Sequence, residues 1–238
     1  MQAAADFDNF REAGVVEQAA SRSMLRPNHR LEQCLNNSAA AGMPPISVRP
    51  MAGQFLSVLT RALGAKSVLE IGTLGGYAAI LFAEAGANVT TVEIDPKCRD
   101  VALENTKGLD IEVLLGSGLE VMPRLFEQGH KFDLVFIDAH FDDEWEHFDW
   151  AVKLTRPGGC IIVDDVVVAL FYKGLVSENE GKGEGDSTFM DMIGRDKRVS
   201  VALMPTVNTY PMLPTPVFNG FIIATVLNEQ QAAQGASH

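Results

Sequence analysis

Carboxylates at the ends of short apolar segments are the residues of this sequence best placed to do chemistry. Glu70 ends the segment SVLE, and Glu93 ends VTTVE. Three aspartates end the segments FDLVFID and GCIIVDD, namely Asp138, Asp164 and Asp165. Short apolar segments of this kind are typical of buried strands. If the strands are parallel, their carboxyl ends share one edge of a sheet, which is where open α/β sheets bind ligands.

A glycine-rich loop follows Glu70 and leads into an apolar segment, Tyr77 to Glu84, that predicts a helix. Strand, glycine turn and helix together open a nucleotide-binding βαβ unit, because glycine lets the backbone approach a ligand closely. The loop reads E-x-G-x-x-G-G and lacks the second glycine of the dinucleotide pattern G-x-G-x-x-G. Glu70 would repel a pyrophosphate but suits an ammonium group, and Glu93, 21 residues after Gly72, stands where a ribose-binding acid belongs. The two acids favour S-adenosylmethionine as ligand; the alternative is an ordinary strand–turn–helix with incidental acids.

The three aspartates suggest a cation site. If their strands are neighbours, three like charges converge beside the cofactor loop, and such a group needs a cation or a proton. Carboxylate oxygens without histidine or cysteine partners suit a hard divalent ion, with Mg²⁺ first and Mn²⁺ or Ca²⁺ as alternatives. The competing interpretation is that these acids cap helices or bind only the cofactor.

Composition excludes several classes of protein. The formal net charge of -12 and the pI near 4.8 argue against nucleic acid as a partner. Three cysteines, Cys34, Cys98 and Cys160, lie far apart in no metal-binding spacing, which is typical of reduced thiols. Charged residues near the N-terminus disfavour a signal peptide, and the longest apolar run is broken by acids. We therefore expect a soluble cytoplasmic protein with no membrane segment.

The elements that must position these acids follow a regular alternation. We predict strands at 67–71, 89–93, 111–115, 132–138 and 159–164, with helical segments after each of the first four. Two further apolar runs, 199–204 and 220–226, have no helix between them and predict an antiparallel closing pair. The fold class expected is α/β, a Rossmann-like seven-stranded mostly parallel sheet with helices on both faces.

We expect a single domain across residues 1–238, with a core at 50–228 and a frayed polar tail at 229–238. Residues 1–49 contain two amphipathic segments, 6–20 and about 29–41, which predict helices. Because they precede the first strand, they are expected to form a lid or the surface of a homodimer. Two insertions are also predicted, a mobile one at 177–186 and an extended, proline-rich loop at 206–218.

Several of these segments together resemble the cation-dependent O-methyltransferases of the catechol and caffeoyl-coenzyme A type. GQFL resembles the helix before that family's first strand, and VLEIGTLGGYAA resembles its cofactor loop. VEIDP is similar to the ribose-binding strand, while FIDAH and VDDVV are similar to the metal-binding pair. The resemblance covers roughly residues 45–226 and implies methyl transfer from S-adenosylmethionine to a hydroxyl of a phenolic small molecule.

The resemblance also implies roles for individual residues. Asp138, Asp164 and Asp165 would hold the metal, so that Asp138 would also be a catalytic residue. Glu93 would bind the ribose, with Ile94 beside the adenine. The remaining cofactor-binding residues implied are Ile46, Val48, Glu70, Gly72, Leu74, Gly76, Tyr77, Ala78, Gly118 and Leu119, together with Asp138 and His140.

Three positions depart from the family pattern. Asp165 stands where the family usually has asparagine, and Ala78 stands where a serine often contacts the cofactor. The family's lysine base falls at Phe141, so a lysine cannot act from that position. His140 is the candidate replacement base, since imidazole titrates near neutral pH; alternatively it packs on the cofactor or orders its loop. His147 is expected on a helix surface.

Two other functions stay open from the sequence. The missing lysine is compatible with a cofactor-binding sensor or an inactive methyltransferase homologue. A nicotinamide dehydrogenase is the third hypothesis, and it would bind NAD instead of S-adenosylhomocysteine.

Overall fold

The fold is built on one seven-stranded sheet. The computed structural model describes residues 9–174, 188–209, 216–228 and 230–231. The strand order is β3-β2-β1-β4-β5-β7-β6; the first five strands in the chain run parallel, and β7 and β6 pair antiparallel at one side. The strands are β1 Ser67–Ile71, β2 Asn88–Glu93, β3 Ile111–Leu115, β4 Phe132–Ile137, β5 Thr155–Val163, β6 Val199–Asn208 and β7 Val217–Val226.

Helices lie on both faces of the sheet, and several begin at residues that favour a helix start. Pro50 occupies the first turn of the helix that it begins. Asp95 accepts two backbone N–H bonds at the start of the helix Pro96–Asn105, and Ser117 accepts one at the start of the helix Gly118–Glu127. The helices of the described residues are α1 Asn9–Met24, α2 His29–Ala40, α3 Pro50–Leu63, α4 Tyr77–Glu84, α5 Pro96–Asn105, α6 Gly118–Glu127, α7 Glu144–Leu154, α8 Val166–Tyr172 and α9 Phe189–Arg195. A 3₁₀ turn, Phe141–Asp143, precedes α7.

The sheet is buried on both faces, because side chains alternate along each central strand. In β1, Val68 packs with Phe82 and Phe136 on the α3 and α4 side, whereas Leu69 and Ile71 pack on the α6 and α7 side. The Phe82 and Phe136 rings meet edge to face, with 5.7 Å between their centroids. The predicted fold class, including the closing antiparallel pair, is therefore confirmed.

Some element boundaries differ from the prediction. The strand β5 begins at Thr155 instead of 159, because Thr155 pairs with Phe132 across an irregularity formed by the Arg-Pro-Gly-Gly segment. The closing hairpin is longer than expected, so that parts of the predicted loop 206–218 are strand. Pro205 fits within β6 because β6 is an edge strand, where a missing N–H is tolerated. Helices α8 and α9 were not predicted.

The N-terminal helices pack against the core. Helix α2 contacts α4 and α5, and α1 contacts α3 and β6. The predicted insertion at 177–186, residues 6–8 of the first predicted helix and most of the predicted tail lie outside the described residues. No helix within the described residues is both long and apolar enough to cross a membrane.

Candidate functional site

A cavity of about 790 Å³ opens at the carboxyl edge of the sheet, where the strand-end acids meet. It brings together most of the residues predicted from the sequence. Those lining it are Ile46, Val48, Glu70, Gly72, Leu74, Tyr77, Ala78, Glu93, Ile94, Gly118, Asp138, His140 and Asp165. Three predicted residues, Gly76, Leu119 and Asp164, are not among the lining residues. The N-terminal region reaches the cavity through Ile46 to Val48, while the expectation that α1 and α2 form a lid or the surface of a homodimer stays a prediction.

The first glycine of the loop is required by close packing. Gly72 has a φ of +95°, and a Cβ built on it would lie 1.9 Å from the backbone oxygen of Asp138. Any side chain here would therefore separate the ends of β1 and β4. Gly76 has a φ of +89° and begins α4, where it packs against Thr106 and Ala102. Gly76 thus shapes the loop from behind the cavity.

Helix α2 supports the same loop from outside. The Sγ of Cys34 and the Nδ2 of Asn105 both donate to the carbonyl of Gly75, at 3.2 and 2.9 Å. Asn37 on α2 donates to Asn105 at 2.8 Å. A Cβ on Gly75 would lie 2.1 Å from the Oγ of Ser38, so α2 packs tightly on this glycine.

Glu93 fastens the loop with both of its carboxylate oxygens. Oε2 accepts the backbone N–H groups of Thr73 at 3.1 Å and Leu74 at 2.7 Å, and Oε1 accepts that of Asp95 at 2.9 Å. Leu74 has a positive φ of 50°, a conformation that these bonds help to hold. Only 7% of Glu93 is exposed, and that part faces the cavity. Sequence spacing predicted the ribose role but not this loop-holding role.

Glu70 lies deeper, with 1% of its surface exposed. Its Oε2 accepts the Thr91 hydroxyl at 2.6 Å, and the Thr91 and Thr73 hydroxyls lie 2.5 Å apart. Burial is the main cause that raises the pKa of Glu70 to about 8; the Thr91 hydrogen bond opposes the shift, and the nearby charge of Glu93 adds to it. Glu70 is therefore mostly protonated at neutral pH, and a ligand ammonium would favour its ionised form.

The three aspartates come together because β4 and β5 are neighbours. Ile137 pairs with Val163, and the N–H of Asp164 donates to the carbonyl of Ile137 at 2.9 Å. Asp165 has a φ of +58°, and its Oδ1 accepts a bond from the side chain of Asn219. The condition set for the cation hypothesis, that the two acid-bearing strands are neighbours, is therefore met.

The charges of these aspartates disfavour one another. Burial raises the pKa of Asp138 well above its ordinary value, and the charges of Asp164, Asp165 and Glu70 add to the effect. Burial and the charge of Asp165 raise the pKa of Asp164 to about 7. Burial also raises the pKa of Asp165, although the Asn219 hydrogen bond opposes it.

The donor chemistry fits a hard divalent cation, because three partly buried carboxylates repel one another and a cation would offset that repulsion. The arrangement is not a preformed coordination shell. In the part of the chain that the structure describes, no three His, Cys, Asp or Glu side chains are placed to hold a metal ion together. Asp165 is turned towards Asn219. Cation binding therefore requires at least one carboxylate to reorient.

The loop after Asp138 carries the candidate base. The His140 side chain is 74% exposed at the rim, and its Nδ1 accepts the N–H of Asp142 at 3.4 Å, which leaves Nε2 free of that contact. Phe141 lines the cavity and packs against Tyr172, with 5.9 Å between ring centroids. None of the described lining residues is a lysine.

A lysine does reach the backbone of this loop from α8. Lys173 donates to the carbonyl of Phe141 and to Oε2 of Glu144, the latter at 2.7 Å. Burial raises the pKa of Glu144, and the ion pair with Lys173 opposes that shift. The Lys173 ammonium is thus bound to Phe141 and Glu144, so Lys173 does not replace the family's base.

The prediction that His147 lies on a helix surface is wrong. His147 is buried, with 4% exposed, and it lines the cavity. Burial lowers its pKa, which favours the neutral ring, although the nearby carboxylates of Asp143 and Glu146 oppose this shift. The apolar stripe of α7, which includes Phe148, Ala151 and Val152, runs through position 147 and could have indicated the inward orientation.

Several known O-methyltransferases are similar to this chain. The model of the O-methyltransferase family matches residues 21–210. The O-methyltransferase imqG of Aspergillus flavus is 38% identical over 217 residues, covering 84% of each chain. A catechol O-methyltransferase of Niastella koreensis is 37% identical, covering 72% of this chain and 81% of its own.

A solved structure agrees with the sequence relatives. The O-methyltransferase from Bacillus cereus, determined in complex with S-adenosylhomocysteine, superimposes with a TM-score of 0.78 at 33% identity. The match covers 89% of this chain and 97% of that one. The family match spans both the glycine loop and the aspartate cluster, so the resemblance noted in the sequence is confirmed. The chain belongs to the O-methyltransferase family.

Proposed function

We propose that this protein transfers a methyl group from S-adenosylmethionine to a hydroxyl of a phenolic small molecule, with catechols as the first class of acceptor. The observation that carries the proposal is a single cavity lined by Glu93 and the glycine loop as well as by Asp138 and Asp165. One half of the cavity suits the cofactor, and the other half suits a cation with an aromatic acceptor.

The cofactor half follows from the acids and the loop. Glu93 would accept the ribose hydroxyls, and the backbone at Gly72, which also lines the cavity, would lie beside the methionine portion. Glu70 would ionise when the ammonium group approaches. The related Bacillus cereus enzyme, solved with S-adenosylhomocysteine, supports the same cofactor for this chain.

The acceptor half combines acids with aromatic surface. Asp138, Asp164 and Asp165 would hold the divalent cation, with Mg²⁺ preferred and Mn²⁺ or Ca²⁺ as alternatives. Such an ion, when bound, supplies a Lewis acid that lowers the pKa of a phenolic hydroxyl. Phe141, Tyr172 and other apolar lining residues, among them Val168 and Val217, suit a flat ring. The relative named catechol O-methyltransferase supports this class of acceptor.

His140 would take the phenolic proton, since it is the histidine at the rim beside Asp138 and its Nε2 is not used by the loop. The net charge of -12 disfavours nucleic acids and highly anionic acceptors. A neutral or weakly charged phenol is therefore the proposed partner.

The test is an assay of methyl transfer from S-adenosylmethionine to a panel of catechols, in the presence of Mg²⁺ and in a chelator. Calorimetry with S-adenosylhomocysteine and with NAD accompanies it. We expect S-adenosylhomocysteine to bind, NAD not to bind, and turnover to require the cation. Cofactor binding without turnover on any phenol would favour the sensor or inactive homologue. Full turnover in the chelator would refute the metal role.

A further inference from the structure

The buried His147 ring faces the cavity next to a glycine. A Cβ on Gly118 would lie 2.6 Å from His147 Nε2 and 2.8 Å from the Cγ2 of Ile71. The ring therefore fills the space that a side chain at position 118 would otherwise occupy. Its Nδ1 is buried and makes no hydrogen bond of normal geometry, although the backbone of Asp143 lies near enough to affect the pKa of the ring.

The location of His147 relative to Glu93 decides which part of a ligand it would meet. A ribose held by Glu93 has the methionine portion on the side of the glycine loop. The base must then extend to the other side, where Ile94, residues 116–118 and His147 line the cavity. Ile94 is largely exposed and forms the rim there, whereas His147 lies at the floor.

Few polar side chains are available at this end. The Oγ of Ser117 already accepts the N–H of Leu119 at 3.2 Å, because it caps α6. A neutral imidazole offers one donor and one acceptor, and an adenine edge likewise presents an amino donor beside ring-nitrogen acceptors. Nδ1 of His147 is closed off from the cavity and lies near the backbone of Asp143, so Nε2, beside Gly118, is the nitrogen that a ligand in this cavity would meet.

We propose that His147 is a specificity-determining residue that hydrogen-bonds the edge of the purine of the cofactor. The proposal rests on the proposed function, because it requires an adenosyl ligand in this cavity. The competing explanation is that His147 only fills the space beside Gly118. A ring of the same shape without nitrogen atoms separates the two.

The experiment measures Kd by calorimetry for wild-type protein, His147→Phe and the matched control His130→Phe. His130 is an exposed histidine stacked on Phe132, away from the cavity. The ligands are S-adenosylhomocysteine and analogues in which the 6-amino group is replaced by hydrogen, or N1, N3 or N7 by a CH group. Near-ultraviolet circular dichroism establishes that each variant is folded.

We expect His147→Phe to bind S-adenosylhomocysteine about tenfold more weakly, and His130→Phe to bind it like the wild type. At least one analogue should bind the wild type about tenfold more weakly than the parent ligand, and His147→Phe should lose that preference. Equal analogue preferences in both proteins would overturn the role of His147 alone. If the folded wild type fails to bind S-adenosylhomocysteine, the proposed function falls and this assignment falls with it. If His147→Phe does not fold, His147→Gln replaces it and must retain part of the analogue preference.

Discussion

Replacing Glu93 with alanine tests the two roles that the structure assigns to one carboxylate. The change removes the acceptor for three backbone N–H groups, those of Thr73, Leu74 and Asp95. Each unpaired buried N–H costs about 1–3 kcal/mol, but water entering through the open cavity can satisfy part of this. We therefore expect the free energy of unfolding to fall by about 2–4 kcal/mol.

The same substitution should weaken cofactor binding. Loss of the bonds to the ribose hydroxyls costs about 1–3 kcal/mol, which corresponds to a Kd for S-adenosylhomocysteine about 5- to 150-fold higher. Glu93→Gln should be intermediate in both measurements. Glutamine has one acceptor oxygen, so it can serve either the Thr73 and Leu74 pair or Asp95, but its amide nitrogen then faces an N–H group.

Urea unfolding without ligand and calorimetry with S-adenosylhomocysteine measure the two effects separately. Glu112→Ala is the matched control, because Glu112 is an exposed acid on the neighbouring strand β3. If Glu93→Ala loses stability but keeps its affinity within about twofold, the carboxylate holds only the loop and the ribose assignment is wrong. If neither quantity changes, the hydrogen-bond argument itself is refuted.

Three further predictions concern the rest of the site. His140→Ala should lower kcat by about 100-fold or more while the Kd for S-adenosylhomocysteine stays the same, and an unchanged kcat in steady-state assays would exclude the base role. Asparagine tolerates the positive φ at position 165, so Asp165→Asn should fold. It should weaken Mg²⁺ binding about tenfold by calorimetry yet keep activity at saturating Mg²⁺. Glu70 has its pKa raised to about 8 in the folded protein, so its contribution to stability is complete below about pH 4.5 and is lost as the pH rises through 8. Glu70→Gln should therefore flatten the fall of the unfolding midpoint between pH 5 and pH 8, and parallel curves for the two proteins would contradict the shift.

Much of the cofactor side was predictable from the sequence, because its determinants are local. Glycines at fixed offsets specify the turn after β1, and the apolar segment after them specifies α4, Tyr77–Glu84, with the predicted boundaries. The spacing from Gly72 to Glu93 follows from the length of one helix, two loops and the strand β2, which ends at Glu93. The metal hypothesis required β4 and β5 to be neighbours, and their pairing in the structure brings Asp138 next to Asp164.

Other features depend on partners that are distant in the sequence. Helix α8 reads VVVALFY, a β-branched run with strand-like character, yet it is helical where it packs against β7. The Lys173 bridge to Glu144 and the support of Gly75 by α2 join segments that no local pattern relates. The orientation of His147 likewise depends on Gly118, which leaves the space that the ring occupies.

The sequence by itself therefore determined the sheet, the cofactor loop and the identity of the acids, since backbone periodicity and glycine turns act over a few residues. Only the tertiary structure decided how those acids are used. Glu93 holds a loop as well as facing the cavity, and burial raises the pKa of Glu70. Hydrogen-bond partners and burial are set by packing between distant segments, and they control which carboxylates are charged and which side chains reach a ligand.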